Sequence, residues 1–136
     1  MDDATLTVRI CELLGRVPGW AWRPDSPYLP GEVAIFYGPI GDTPDQAIGV
    51  TVYDGTDQNH LHERRVQLRI RGARGARNGA DQIAGFAFTV LQGLSRWDGI
   101  NDARRVSFAP LGADQNDRQE RSENYLVTLD NTEATL

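Results

Sequence analysis

Leu6, Ile10, Leu13, Leu14 and Val17 recur at the spacing of a single stripe on a helix of 3.6 residues per turn. The pattern predicts an amphipathic helix over residues 4–17, with Asp2, Asp3 or Thr5 as its N-cap and Pro18-Gly19 as its stop. Periodicity then lapses over residues 18–31, where Pro18, Pro24, Pro27 and Pro30 each remove a backbone donor and Gly31 closes the segment. This predicted loop carries Trp20, Trp22 and Tyr28. Aromatic residues in a loop are pinned on the chain's own core or on a partner, and both readings stand at this point.

Three strands are predicted next. Residues 32–37 are β-branched and aromatic. In 47–53, Ile48, Val50 and Val52 alternate with Gly49, Thr51 and Tyr53. In 64–71, Val66, Leu68 and Ile70 alternate with Arg65, Gln67, Arg69 and Arg71, the cleanest period of two in the chain. Residues 72–79 read as a flexible basic turn, and a second helix follows over 79–96 with Asn78 as N-cap. Its apolar residues, from Ile83 to Leu94, cover more than one stripe. Such a helix is buried on two sides, either within its own domain or between its own sheet and a neighbouring subunit. Two further strands, 103–111 and 119–129, alternate through Val106, Phe108, Tyr125, Val127 and Leu129 and are joined by a polar hairpin loop at 112–118. Residues 131–136 read as a frayed tail. The order α-β-β-β-α-β-β predicts a single α+β domain over 1–136. Its sheet of about five strands is mostly antiparallel, with room for parallel pairs, and is covered by two helices.

Composition sharpens the picture in three places. A chain of 136 residues with 40% hydrophobic residues can build a core without disulfide or metal staples. The single cysteine, Cys11, excludes an intramolecular disulfide, and a reducing compartment is permitted. No apolar run approaches the ~20 residues of a membrane span, and Asp2-Asp3 is the wrong start for a secretory signal, so a soluble protein made in the cytoplasm is expected. All 14 basic residues are Arg, which fits coding bias or a use for planar bidentate donors. Net charge is −5, against a protein that coats nucleic acid or anionic membrane through its global field. The charge is uneven: residues 1–63 carry −7 and residues 64–136 carry +2, with Arg64, Arg65, Arg69, Arg71, Arg74 and Arg77 uninterrupted by acids.

No catalytic set emerges. His60 and His62, near Asp54, Asp57 and Glu63, put two imidazoles on one strand face, but two ligands make no metal site. Residues 112–120 lack the glycine and final glutamate of a calcium loop. Gly72, Gly75 and Gly79 precede a helix start, yet match neither the dinucleotide nor the Walker spacing. Cys11 falls beside the buried stripe and reads as inert. No metal and no cofactor are expected, and the chain does not read as an enzyme. Two other classes remain open: a nucleic-acid-binding module using Arg64–Arg77, and a small ligand-binding domain using the Trp20/Trp22 loop with His60 and His62.

The strand Arg-Arg-Val-Gln-Leu-Arg-Ile-Arg-Gly (64–72), feeding the helix at 79–96, and the later stretch Pro-Leu-Gly-Ala-Asp-Gln-Asn-Asp-Arg-Gln-Glu-Arg-Ser-Glu-Asn-Tyr (110–125) resemble the small tail terminator proteins of long-tailed bacteriophages. These are also labelled minor capsid proteins. The resemblance runs over about residues 4–129. Arg71 and Gly72 match the family's basic strand end. Pro110, Leu111, Gly112, Asp114, Arg118, Glu120, Asn124 and Tyr125 match its late hairpin, while Ala113 replaces a basic residue and Asp117 replaces a glycine.

The resemblance implies structural work in the virion. Such proteins form a ring, commonly hexameric, on the head-proximal end of the tail tube. The ring ends tube polymerisation and provides the surface that joins the head connector. The implied partners are further copies of the chain, the tail tube protein and the connector, with DNA only as passing cargo and no membrane. The implied location is the tail neck of a virion assembled in the bacterial cytoplasm. Head-to-tail rings join unlike patches. Arg69, Arg71, Arg74 and Arg77 are therefore expected to face acids of a neighbouring subunit or the tube, with Trp20 and Trp22 as apolar anchors. The acidic surplus suits a lumen through which DNA slides.

Overall fold

Asp2 opens the first helix: its carboxylate accepts the Thr5 amide at 2.7 Å, and α1 runs from Asp3 to Leu14. It stops before the predicted residue 17 because, past Gly15, the Arg16 and Val17 amides bond Leu13 and Leu14 three residues back, in turns rather than α-helical bonds. Gly15 also lets the next segment approach, since a Cβ there would lie 2.9 Å from the Trp22 Cβ. The computed structural model describes residues 1–130; the tail predicted at 131–136 lies outside the described residues.

The remaining elements are β1 (Trp20–Trp22), β2 (Val33–Tyr37), β3 (Ala47–Gln58), β4 (Leu61–Arg74), α2 (Gly79–Leu91), β5 (Ile100–Ala113) and β6 (Arg118–Leu129). They form one six-stranded sheet in the order β1-β2-β3-β4-β6-β5. β1–β2 and β2–β3 are parallel, and the other pairs are antiparallel. The α+β class and the mainly antiparallel sheet are as the sequence predicts, with one strand more. The extra strand is β1, inside the segment read as a loop. Its three residues fit between Pro18 and Pro24, so the prolines bound the ladder rather than forbid it.

Both helices lie on one face. α1 packs on β1, β2 and β3, and α2 on β4, β6 and β5. The period of two in β4 sends Val66, Leu68 and Ile70 into the core, paired with Val52, Val50 and Ile48 of β3. Ile10, Leu14, Ile83, Leu91, Tyr125 and Val127 complete this layer. Each such fully buried aliphatic side chain contributes ~1.5–3 kcal/mol. α2 buries Ile83, Ala84, Ala87 and Leu91 but leaves Phe86 exposed beside Trp20, so its second apolar stripe is not covered by its own domain.

Two local readings are corrected. Residues 72–74 are not a flexible turn but the end of β4, and Gly72 is buried where α2 crosses: a Cβ there would meet the Ala80 amide nitrogen at 2.6 Å. Asn78 holds the N-cap position of α2 without a side-chain cap hydrogen bond. α2 ends at Leu91 rather than 96.

Candidate functional site

At the end of the sheet where β4 finishes and β6 begins, two arginines hold two loops. Arg118 is 3% exposed. Its Nε donates to Asp114 Oδ2 at 2.8 Å, its Nη1 to the Asp42 carbonyl at 2.8 Å, and its Nη2 to Asp42 Oδ1 at 3.1 Å. Asp45 Oδ1 lies 3.2 Å from Nη1. Arg71, 6% exposed, donates from Nε to the Asp45 carbonyl and from Nη2 to the carbonyls of Gly41 and Pro44, each at 2.8 Å. The fork of a guanidinium suits this geometry, because one side chain satisfies several backbone oxygens of a loop that has no ladder.

The turn between β5 and β6 is built for the same purpose. Asp114 Oδ1 accepts the amides of Asn116 and Arg118, both at 2.9 Å, which closes an Asx-type turn. Asp117 has φ 56°, a left-handed conformation, and its carbonyl accepts the Gly75 amide at 2.8 Å. Glycine reaches that conformation without strain, whereas Asp117 holds it at a cost. Burial pushes the Asp114 carboxyl up, but the hydrogen bonds from Arg118 and Asn116 outweigh it and hold the group below the usual carboxylate range. Burial together with the nearby Arg118 charge lowers Arg71.

Arg71, Asp114 and Arg118 therefore gather here, where they hold loops. Arg71 was expected to face a neighbouring subunit. It is instead buried against the 41–45 loop, because it sits on the sheet face that this loop covers. Glu120 pairs with Arg69 at 3.2 Å, and Asn124 bonds Gln67 and Ser107. Gly112, with φ 82°, sits at the irregularity in the β5–β6 register, and Tyr125 is buried in the core with its phenol pushed up by burial. Of the predicted contact arginines, Arg69 and Arg74 are exposed, Arg74 lying 3.6 Å from Asp45, and Arg77 is exposed without an ion pair among the described residues. Trp20 and Trp22 are half-buried against the core.

The basic stripe is not bare. Arg64 bonds Asp57 and Asp3 at 2.8 Å, and Arg65 lies 3.9 Å from Asp54. Asp57 also accepts His62 Nδ1 at 2.9 Å, and these partners lower its carboxyl to about 2. His60 occupies the β3–β4 tip with φ 69°. Among the described residues no group of three or more His, Cys, Asp or Glu is placed to hold a metal. Burial pushes the Cys11 thiol up to about 12. A depression of about 420 Å³ is lined by Tyr28, Pro30, Thr43, Pro44, Asp45 and Gln46.

One cluster escaped sequence reasoning. Glu123 is wholly buried, with Arg105 Nη1 at 3.1 Å and Arg121 Nη2 at 3.6 Å. The signal was present: Glu123 stands two residues before Tyr125, on the inward side of β6. Arg105 and Arg121 also stack on the Phe108 ring, their guanidinium carbons 5.0 and 4.2 Å from its centroid.

The comparisons fit a scaffold of this kind. Against solved structures, the fold matches a chain of the virion of the native gene transfer agent particle with a TM-score of 0.57 and 11% identity, covering 95% of this chain and 92% of that one. No curated protein sequence matches. A family model described as bacteriophage tail terminator protein matches residues 16–131. The chain thus belongs to the bacteriophage tail terminator family, and is a structural protein of the virion tail.

Proposed function

We propose that the protein closes the head-proximal end of the tail tube as a ring of about six copies, ends tube polymerisation, and offers the surface to which the head connector joins. The observation that carries this reading is the family match over residues 16–131. The use of the polar residues supports it. Arg71, Asp114 and Arg118 fix loops rather than converge on a pocket, and a rigid end loses little conformational entropy on docking. Arg69, Arg74 and Arg77 are the exposed basic residues of that end, and they are the ones we assign to contact acids of the next copy or the tube. Trp20 and Trp22 support the ring from within, by holding β1 on the core.

At the other end of the sheet, Asp3, Asp54 and Asp57 pair with Arg64 and Arg65. This acidic end is the part suited to face passing DNA, since like charge prevents phosphate capture. The nucleic-acid-binding alternative loses its main support, because Arg64, Arg65, Arg69 and Arg74 each already face a carboxylate.

The test is assembly with and without this chain. Tails grown without it are expected to carry overlong tubes that fail to join heads, seen by negative-stain electron microscopy. Tubes of normal length, joined normally in its absence, would overturn the reading.

A further inference from the structure

We infer that the free margin of β5 and the opposite flank of the sheet, at β2 and the loop before it, are the two halves of a head-to-tail contact between copies of this chain. The inference rests on the ring reading above and adds which surfaces meet.

Among the described residues β5 pairs with β6 on one side, and on the other its start is met by Trp97, Gln92 and Gly93, which bond Ile100, Arg105 and Ala103; past Arg105 no strand adds to it. Past Arg105 the strand leaves Val106, Phe108 and Leu111 exposed by 43%, 52% and 45%. The Phe108 ring is held from behind by Arg105 and Arg121, so it is a fixed apolar face rather than a loose side chain. Register irregularities at Arg105/Ser107 and Pro110/Gly112 interrupt the strand, and Pro110 has no amide to donate. These features oppose indefinite strand-to-strand addition and leave side-chain docking as the use of this margin.

The opposite flank carries the matching feature. β1 pairs only with Val33, Ala34 and Ile35, so β2 is itself the margin at Tyr37. Tyr37 and, in the preceding loop, Leu29 are exposed by 51% and 55%. Three strands lie between β2 and β5, so four spacings of ~4.8 Å put the two patches ~19 Å apart and they cannot meet within one chain.

A second copy is the occupant that fits. Unlike patches on opposite margins are what a closed ring requires, each copy presenting one and receiving the other. Charge agrees with this pairing: exposed Arg104 on the β5 margin and exposed Asp25 on the other flank have no ion pair among the described residues.

Phe108→Glu and Tyr37→Glu test it, both at half-exposed positions where circular dichroism and Tm should match the unmodified protein. Light scattering and negative-stain images are expected to give rings at about six times the monomer mass for the unmodified chain and monomers for each variant. Mixing the two variants should give dimers and nothing larger, because only one intact contact can form between them. Variants that still form full rings, or a mixture that stays monomeric, overturn the assignment and leave the ring reading standing. An unmodified chain that forms rings neither in solution nor on purified tails overturns the ring reading itself. If rings form only on tails, Phe108→Cys with Tyr37→Cys in one chain is oxidised there. A ladder of covalent multimers supports the contact. Uncrosslinked monomer, or a dimer from Phe108→Cys alone, overturns it.

Discussion

Arg71 on β4 and Arg118 at the start of β6 hold the same loop: between them they donate to the backbone oxygens of Gly41, Asp42, Pro44 and Asp45. Two buried like charges side by side are costly, and burial, with the Arg118 charge after it, accordingly lowers Arg71. The arrangement stands because Asp42, Asp45 and Asp114 supply compensating charge to Arg118. Among the residues that carry the family resemblance, Arg71, Asp114 and Arg118 give one end of the sheet a fixed shape.

Removing Arg118 leaves Asp114 facing a gap and the Asp42 carbonyl unbonded. Breaking one side of a buried ion pair costs ~3 kcal/mol, so Arg118→Met is expected to lower stability by about that amount in urea unfolding. Arg71→Lys keeps the charge but loses the fork. A single ammonium nitrogen does not reproduce donation from two separated nitrogens, Nε and Nη2, and a smaller loss of ~1–2 kcal/mol is expected.

Two backbone positions should respond in opposite directions. Gly72→Ala places a methyl 2.6 Å from the Ala80 nitrogen, so α2 must shift or β4 must bend, at ~1–3 kcal/mol. Asp117→Gly relieves a left-handed residue at φ 56°, worth ~1–2 kcal/mol, against ~0.5–1 kcal/mol of added unfolded-state freedom. A net gain of about 0.5 kcal/mol is expected, read as a Tm higher by roughly 1–3 °C.

Acid should weaken the fold through particular carboxylates. Hydrogen bonds from Arg64 and His62 lower Asp57 to about 2, and Asp114 is held below its ordinary value by Arg118 and Asn116 despite burial. A depressed folded pKa means the contribution is complete above the ordinary carboxylate value and is lost as pH falls through the folded one. Stability measured from pH 5 down to 2 should therefore drop, and Asp57→Asn should flatten that slope while lowering stability at neutral pH. Cys11, pushed up to about 12 and buried, should resist alkylation at pH 8 until the chain is denatured.

Much of this fold is legible in the sequence because burial is one-sided. The alternation of Val66, Leu68 and Ile70 with Arg65, Gln67 and Arg69 reports a sheet with one covered face, and the structure shows that face. β1 was not legible, because three residues between prolines give no period, and the parallel pairing that makes them a strand is a tertiary event. Arg71 was misread for a related reason. It continues the polar alternation of β4, and only the 41–45 loop folding over that face turns an exposed position into a buried one. Pairing of Arg64 and Arg69 with acids far along the chain likewise dissolved a basic stripe that looked continuous in one dimension.

What remains of that stripe makes a separable prediction. Arg74 is exposed, and its pairing with Asp45 at 3.6 Å is a surface contact worth at most ~1 kcal/mol; Arg77 is exposed and unpaired among the described residues. Reversing both, Arg74→Glu with Arg77→Glu, should leave Tm within a few degrees, because neither side chain holds the 41–45 loop as Arg71 and Arg118 do. If they meet acids of another copy or of the tube, the doubly reversed chain should assemble at least tenfold more weakly at low salt. That deficit should shrink as ionic strength rises, because screening removes the new repulsion as it removes the old attraction. Assembly read by light scattering and by tail capping across salt concentrations distinguishes the cases. A variant that matches the unmodified protein at every salt concentration would place the contact away from this end of the sheet.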